Sequence, residues 1–329
     1  MEAAAEGFAA RRRRQKLRLV ARRLLLFVPT LLGMSLLVFA VGRISLVRPD
    51  IASLGFFATE QAKQNFNERF HLDEPLVTQY GIWLSDVATG DFGVSFITGT
   101  PVIDSVRSGA AVTIQLALGA AVLAAVFGIG LGTIGGLKPW AFRNRLISAG
   151  SLLAVSMPQF WLGLVLLIIV AQNLQLLPAG GYVSPSTDLV GFVKSMLLPW
   201  IALSVASAGI IARVTQVRVA EESVKPHVMT ARSLGVSEYR VATRYTLRNS
   251  LIEPATVLGI QVGYMLGGAF VVEQVFNLPG VGQLAISAAR QGDYPVVQAV
   301  ALYTTVVFLL VNLAVDLFHL ILDVRAGEG

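Results

Sequence analysis

The chain has 329 residues, of which 54% are apolar and only 14% are charged, and its mean hydropathy is +0.67. Soluble domains contain about 45–50% apolar and ~25% charged residues, so this composition indicates a membrane protein. The chain contains no cysteine, which excludes disulfides, thiolate metal sites and cysteine nucleophiles. The net charge of +6 does not indicate a nucleic-acid partner, because about nineteen of the 26 Lys and Arg residues flank apolar runs on one predicted side of the membrane.

The N-terminal segment 1–23 carries eight basic residues and is predicted to lie in the cytoplasm. The apolar run after it predicts a first transmembrane helix at 24–42. A basic segment followed by an apolar run is also typical of a signal peptide. This run of about eighteen apolar residues exceeds the ~7–15 of a signal peptide, and no clear cleavage pattern follows it. We therefore predict an uncleaved first helix.

Residues 43–108 are polar and contain several Gly and Pro residues, which predicts a small extracytoplasmic module. Phe66 and Phe70 lie four residues apart, so the stretch 60–70 is predicted to form a short amphipathic helix. A second short helix is predicted at 77–87.

Residues 109–322 are predicted to form the membrane core, and 323–329 a cytoplasmic tail. The core contains five apolar runs near or above the ~20 residues that a spanning helix needs, at about 110–137, 146–174, 196–212, 251–272 and 296–322. The links at 138–145 and 213–248 are rich in basic residues, whereas those at 175–195 and 273–295 contain only Lys194 and Arg290. The fold class is therefore an all-α integral membrane protein with about six transmembrane helices and both termini in the cytoplasm.

Glycine is frequent within the second and fifth predicted spans. Small residues permit close approach of helices in membranes, either within one bundle or between two copies of a chain. We expect packing within one bundle. The residues concerned are Gly128, Gly130, Gly132, Gly135, Gly136, Gly259, Gly263, Gly267 and Gly268.

The sequence contains no recognisable catalytic constellation. His71, His227 and His319 do not occur in a metal-binding spacing. Asp316 and His319 lie three residues apart, which permits a proton relay but is more typical of a structural contact. No lysine follows a glycine, so the chain has no P-loop, and we expect ATP hydrolysis to be supplied by a different chain. We predict no catalytic residue, metal or cofactor in this chain.

The long cytoplasmic link 213–250 has the signals of a helix–turn–helix. Pro226 occupies a favourable first helical position, and Gly235 lies where a left-handed residue ends a helix. Ser237 is predicted to cap the next helix, with Glu238 in its first turn. Such a segment is either a solvated linker or a lever docked on a partner.

Several motifs decide between these interpretations. Two of them lie in this link, Thr-Ala-Arg-Ser-Leu-Gly at 230–235 and Leu-Arg-Asn-Ser-Leu at 247–251. Others lie at 90–95, 98–102, 156–163, 276–282 and 293–299, and Asn312, Asp316 and Asp323 continue the pattern. In this order the motifs resemble the peptide/nickel branch of bacterial ABC importer permeases, of the first-permease type, and the two motifs in the link resemble the EAA-type loop of that family. The chain departs from the family at Pro226 and His227, at Leu234 and at Val324.

The resemblance implies a transmembrane subunit of an ATP-binding-cassette importer in the bacterial cytoplasmic membrane. Its implied partners are a homologous second permease, two cytoplasmic ATPase subunits or domains that hold Mg-ATP, and an extracytoplasmic substrate-binding protein. The implied solute is an oligopeptide or dipeptide, with nickel chelates and glutathione as further candidates. An ion-coupled secondary carrier or channel is the alternative, although few ionisable residues lie within the predicted spans.

Two sets of residues are the candidate site. The family loop implies that coupling to the ATPase involves Met229, Thr230, Ala231, Arg232, Ser233, Leu234, Gly235, Ser237 and Glu238. Candidates for lining the solute path are Met157, Gln159, Phe160 and Gln261.

Overall fold

A computed structural model describes residues 25–43, 54–55, 58–138 and 140–326. The predicted basic segment 1–23 lies outside the described residues, and so do the last three residues of the predicted tail. The side chain of His319 is also outside them, so its pairing with Asp316 stays a prediction.

The described residues are predominantly helical, and their β-pairing is limited to an isolated antiparallel bridge between Val94 and Pro101. The helices in chain order are α1 (Leu25–Arg43), α2 (Glu60–Arg69), α3 (Leu76–Thr89), α4 (Val102–Gly136), α5 (Phe142–Ser156), α6 (Gln159–Leu166), α7 (Leu189–Ser223), α8 (Pro226–Ser233), α9 (238–250), α10 (Ile252–Phe276), α11 (Val281–Gln291) and α12 (Tyr294–Ala326). A π-helical turn, Leu167–Asn173, continues α6, and another, Val241–Leu247, forms the middle of α9.

In the described residues, five of these helices, α1, α4, α7, α10 and α12, are long and apolar enough to cross a membrane, and the number is six if the bent pair α5 and α6 forms one span. The predicted fold class is thereby confirmed. The two short helices predicted after the first span are α2 and α3. The sequence did not predict α11, which lies in the link after the fifth span.

The third predicted span is not one continuous helix. The axes of α5 and the α6 segment differ by 101°. Proline lacks an amide hydrogen and disfavours the helical conformation of the residue before it. Met157, which precedes Pro158, is accordingly extended with φ −82° and ψ 122°. The prediction of a single span over 146–174 was therefore wrong in its geometry, although Pro158 marks the break in the sequence.

The fourth predicted span, 196–212, is only the middle of α7. This helix has 35 residues and contains Pro199. It begins after Asp188, whose carboxylate accepts a hydrogen bond from the amide of Val190 at 2.9 Å. It continues to Ser223, beyond the end of the apolar run, since polar residues can also be helical. Its last turns carry Arg213, Gln216 and Arg218 into the polar link.

The described residues fall into two compact units, the first formed from Met1–Ala111 and Gly280–Leu313. In this unit the loop before α4 is fixed to the start of α12. The Ser95 hydroxyl donates to Asp293 Oδ2 at 2.5 Å, and the Phe96 amide donates to Oδ1 at 3.0 Å. Ser95 and Asp293 are both buried. These contacts join the motif at 90–95 to the motif at 293–299.

The second unit comprises Val112–Pro279 and Ala314–Gly329. Its core includes Leu116 of α4, Met196, Leu203 and Ile211 of α7, and Met265 of α10. Glycines allow α4 to lie directly against α7. A Cβ at Gly132 would overlap the Ala212 carbonyl oxygen, and one at Gly119 would overlap the indole of Trp200. Gly132 packs within one chain, as expected, whereas nothing lies within 4 Å of a Cβ at Gly130 or Gly267.

Candidate functional site

The link between α7 and α10, which contains α8 and α9, has a small hydrophobic core of its own. Val228 and Ala231 of α8 are buried against Val241 of α9, and Val236 and Tyr245 pack around them. Pro226 is at the first turn of α8, as predicted. The two helices therefore form one folded element rather than an extended linker.

Gly235 forms the turn between these helices. Its φ is +77°, in the left-handed region that glycine adopts without strain. The Val236 amide donates to the Ala231 carbonyl at 3.1 Å and the Gly235 amide donates to the Arg232 carbonyl at 3.0 Å. This is the hydrogen-bond pattern of a Schellman motif, which satisfies the last carbonyls of a helix. Gly235 thus sets the direction in which the chain leaves α8.

Glu222, near the end of α7, anchors the loop. Its side chain is almost fully buried, and its carboxylate contacts Lys225 Nζ at 2.5 Å, His227 Nε2 at 3.2 Å and Asn249 Nδ2 at 3.2 Å. Because these three residues lie before α8, within α8 and at the end of α9, one carboxylate holds the whole loop on α7. His227 thus has a structural position.

Arg232 and Glu238 close the other side of the loop. Arg232 donates to the Ser223 carbonyl at 3.2 Å and to Glu238 Oε1, also at 3.2 Å. Ser237 occupies the residue before α9, as predicted, but its side chain makes no capping hydrogen bond. The part of the prediction that gave the Ser237 hydroxyl a capping role was therefore wrong. Glu238 lies in the first turn of α9, as predicted, and contacts Arg232.

The outer surface of this element carries apolar side chains. Leu234 and Tyr239 are each 78% exposed, and Met229 is also exposed. Thr230, Ser233 and Gly235 are exposed between them. Large exposed apolar side chains grouped on a polar segment are typical of a protein-binding surface.

The four path candidates lie on two helices of the second unit. Met157 is at the break between α5 and α6, and Gln159 and Phe160 begin α6. Gln159 packs against the backbone of α10, since a Cβ at Gly268 would overlap its Oε1. Gln261 is buried on α10, two turns before Gly268. Phe160 is about half exposed. The structure therefore brings Gln159 to the helix that carries Gln261.

Sequence reasoning missed a buried acidic residue. Glu273 belongs to the predicted link 273–295, but α10 continues to Phe276 and places it inside the helix, where its exposed fraction is 0%. The Thr113 hydroxyl donates to Glu273 Oε1 at 2.5 Å. Hydropathy gave no signal for it, because one carboxylate at the end of an apolar run resembles the start of a polar link.

Several long apolar helices, one pair of them sharply bent, together with a folded polar loop that carries an exposed apolar surface, are the features of a multi-pass membrane protein. The comparisons identify the family. Residues 126–327 match the family described as binding-protein-dependent transport system inner membrane component, and the chain belongs to it.

Curated relatives cover nearly the whole chain. The dipeptide transport system permease protein DppB of Alkalihalophilus pseudofirmus is 35% identical over 324 residues, covering 92% of this chain and 97% of the relative. The oligopeptide transport system permease protein AppB of Bacillus subtilis is 30% identical over 93% of this chain and 98% of its own length. The probable D,D-dipeptide transport system permease protein DdpB of Escherichia coli is 31% identical over 90% and 94% respectively.

The chain is accordingly the transmembrane component of an ABC importer. This class was implied by the resemblance and is confirmed. It favours the importer over the ion-coupled carrier or channel.

Proposed function

We propose that the chain forms, together with a homologous second permease, the path by which dipeptides or oligopeptides enter a bacterial cell. The names of the relatives support this solute class, since those described above are named for dipeptide, oligopeptide or D,D-dipeptide transport. An extracytoplasmic binding protein delivers the peptide. Gln159, Gln261, Met157 and Phe160 are the proposed path residues, chosen for their places at the break of the third span and on the helix packed against it.

The observation that carries the proposal is the exposed apolar surface of α8 and α9 on a loop that is fixed to the end of α7. Leu234, Tyr239 and Met229 form this surface, and Glu222 and Arg232 hold the loop in place. A partner bound to this surface would move α7 directly, because no flexible linker separates them. The proposed partner is an ATPase subunit that holds Mg-ATP, while this chain supplies no catalytic group.

The distribution of basic residues supports the orientation. The link that contains α8 and α9 is rich in Lys and Arg, and such links lie preferentially in the cytoplasm. Both termini are therefore proposed to be cytoplasmic, in the bacterial cytoplasmic membrane, with α2 and α3 on the opposite side.

The test is ATP-dependent transport of a labelled dipeptide by vesicles that contain this chain, the second permease and the ATPases. The binding protein is added on the extracytoplasmic face of the complex and ATP on the cytoplasmic face. Leu234→Ser and Tyr239→Ser should reduce co-purification of the ATPase and reduce uptake together. Leu176→Ser is the matched control, because Leu176 is also highly exposed but lies in the opposite link. Uptake of a nickel chelate or glutathione without peptide uptake would contradict the solute class. Unchanged co-purification in both loop variants would contradict the docking surface.

A further inference from the structure

The first unit contains a cavity of about 270 Å³ between α1, the helices α2 and α3, the loop before α4 and the start of α12. None of its lining residues is a candidate for the solute path or for the coupling loop. The inference drawn from it does not depend on the proposed transport function.

Aromatic side chains form much of the cavity wall. Phe39 and Trp83 have ring centroids 5.9 Å apart, and Phe70 and Phe96 have centroids 4.6 Å apart. These rings come from α1, from α3, from the residue that follows α2 and from the loop before α4 respectively. Because several elements hold the wall, the cavity has a defined shape.

Charged groups of both signs line the same cavity. Arg69, His71, Asp86 and Asp91 are exposed at its edge, and Arg43 is half-buried with its guanidinium 5.1 Å from the centre of the Phe39 ring. In the part of the chain that the structure describes, no ion pair joins these arginines to these aspartates. Opposite charges that share a cavity without neutralising each other are suited to a ligand that carries both charges.

Gln79 adds a polar group at the wall. Its side chain is 6% exposed, and its Nε2 donates to the Leu72 carbonyl at 3.0 Å and to the Glu74 carbonyl at 2.6 Å. Its Oε1 has no hydrogen-bond partner, which is an unfavourable state for a buried acceptor. Neighbouring atoms cover that oxygen, so a ligand in the cavity does not contact it in this conformation.

We infer that this cavity binds a small zwitterion, an amino acid or a dipeptide, with the α-carboxylate on Arg43 and Arg69 and the α-ammonium on Asp86 and Asp91. The volume sets the size limit, because small-molecule sites usually measure about 300–1,000 Å³ and this one lies just below that range. A metal ion fits less well. The described residues contain no group of three or more His, Cys, Asp or Glu side chains that could hold one.

The experiment is equilibrium dialysis of radiolabelled alanyl-alanine against the purified full-length chain in lipid nanodiscs. Removing one charged partner of a ligand should weaken binding about tenfold or more. Arg69→Gln and Asp86→Asn should each do so. Glu68→Gln is the matched control, because Glu68 is an exposed charge on the same helix as Arg69 but does not line the cavity. The affinity of the Glu68→Gln variant for alanyl-alanine should equal that of the wild type.

Ligand variants provide an independent arm. Acetylation of the dipeptide amine and amidation of its carboxylate should each reduce affinity to a similar degree. The dipeptide should also change the fluorescence of Trp83, and that change should disappear in Trp83→Phe.

Absence of saturable binding to the wild-type chain would overturn the inference. So would binding that survives both Arg69→Gln and Asp86→Asn but disappears in Gln159→Ala or Gln261→Ala, since the ligand would then belong to the proposed path. Peptide uptake by the complete complex is measured separately, so failure of this site and failure of the proposed transport function give different results.

Discussion

The Thr113 hydroxyl and the Glu273 carboxylate meet at 2.5 Å and connect α4 to α10. Both side chains are buried, Thr113 almost completely and Glu273 completely. An ionisable group in a membrane segment is costly to bury unless its polar atoms have partners. The hydrogen bond from Thr113 therefore stabilises the buried Glu273 carboxylate within the second unit.

Glu273→Ala should destabilise the protein by about 2 kcal/mol, because it removes a buried hydrogen bond to Thr113 and leaves a cavity. The measurement is the apparent melting temperature of the purified chain in detergent. Glu273→Gln should have a smaller effect, since its amide oxygen accepts the same hydrogen bond. Equal melting temperatures for the wild type and Glu273→Ala would show that the contact contributes nothing to stability.

Gly132→Ala should prevent the close approach of α4 and α7, because the new Cβ would overlap the Ala212 carbonyl and lie 2.5 Å from Thr215 Cβ. Gly130→Ala is the matched control in the same helix, since nothing lies within 4 Å of a Cβ there. It should be neutral or stabilising by up to about 1 kcal/mol, the difference in helix propensity. The two variants are compared by their melting temperatures and by their yields of folded protein. Similar behaviour of both variants would contradict the packing described for Gly132.

Gly235→Val should reduce transport at least several-fold without reducing the amount of chain in the membrane. No atom lies within 4 Å of a Cβ at this position, so the effect comes from the φ of +77°. A left-handed conformation costs a side chain about 1–2 kcal/mol, and more for a β-branched one. The variant should relieve this strain by changing the direction in which α9 leaves the turn.

Gly235→Asn tests that explanation, because asparagine tolerates the left-handed region. It should retain most of the uptake and most of the substrate-stimulated ATP hydrolysis. Normal uptake and normal stimulation of ATP hydrolysis in Gly235→Val would show that α8 and α9 only connect two spans and have no role in coupling.

Cysteine labelling tests the orientation in a chain that has no cysteine of its own. Ser186 and Ser237 are both exposed, the first in the link before α7 and the second between α8 and α9. An impermeant maleimide should label Ser186→Cys in intact cells and Ser237→Cys only in inverted vesicles. The reverse pattern would place the coupling loop outside the cell.

The sequence predicted best what depends on local backbone chemistry. Pro226 and Gly235 act through their own φ preferences, so the start of α8 and its turn were readable without any tertiary information. Apolar length likewise located the membrane segments. The Ser237 hydroxyl was a weaker guide, because a cap position does not guarantee a capping hydrogen bond when another contact already fixes the turn.

Features that depend on distant parts of the chain were not predictable. Glu273 is buried because Thr113 lies opposite it, 160 residues away in the sequence. The closeness of Gly119 to Trp200 has the same origin. Pro158 is a different case, since its effect on Met157 is local and the motif at 156–163 contained the information, but the unbroken apolar run on both sides obscured it.

The bend at Met157 and Pro158 has a consequence for where lipid can lie. With 15 residues, α5 is only about 22 Å long, whereas the hydrocarbon layer is ~30 Å thick. If α5 begins at one face of this layer, the final carbonyl groups of α5 and the first amide groups of α6 lie at membrane depth without their regular intrahelical partners. Acyl chains offer no hydrogen bonds to such groups, so the corner has to face protein or water. The bend is thus a point on the surface of the second unit from which lipid is excluded, whatever side chains surround it.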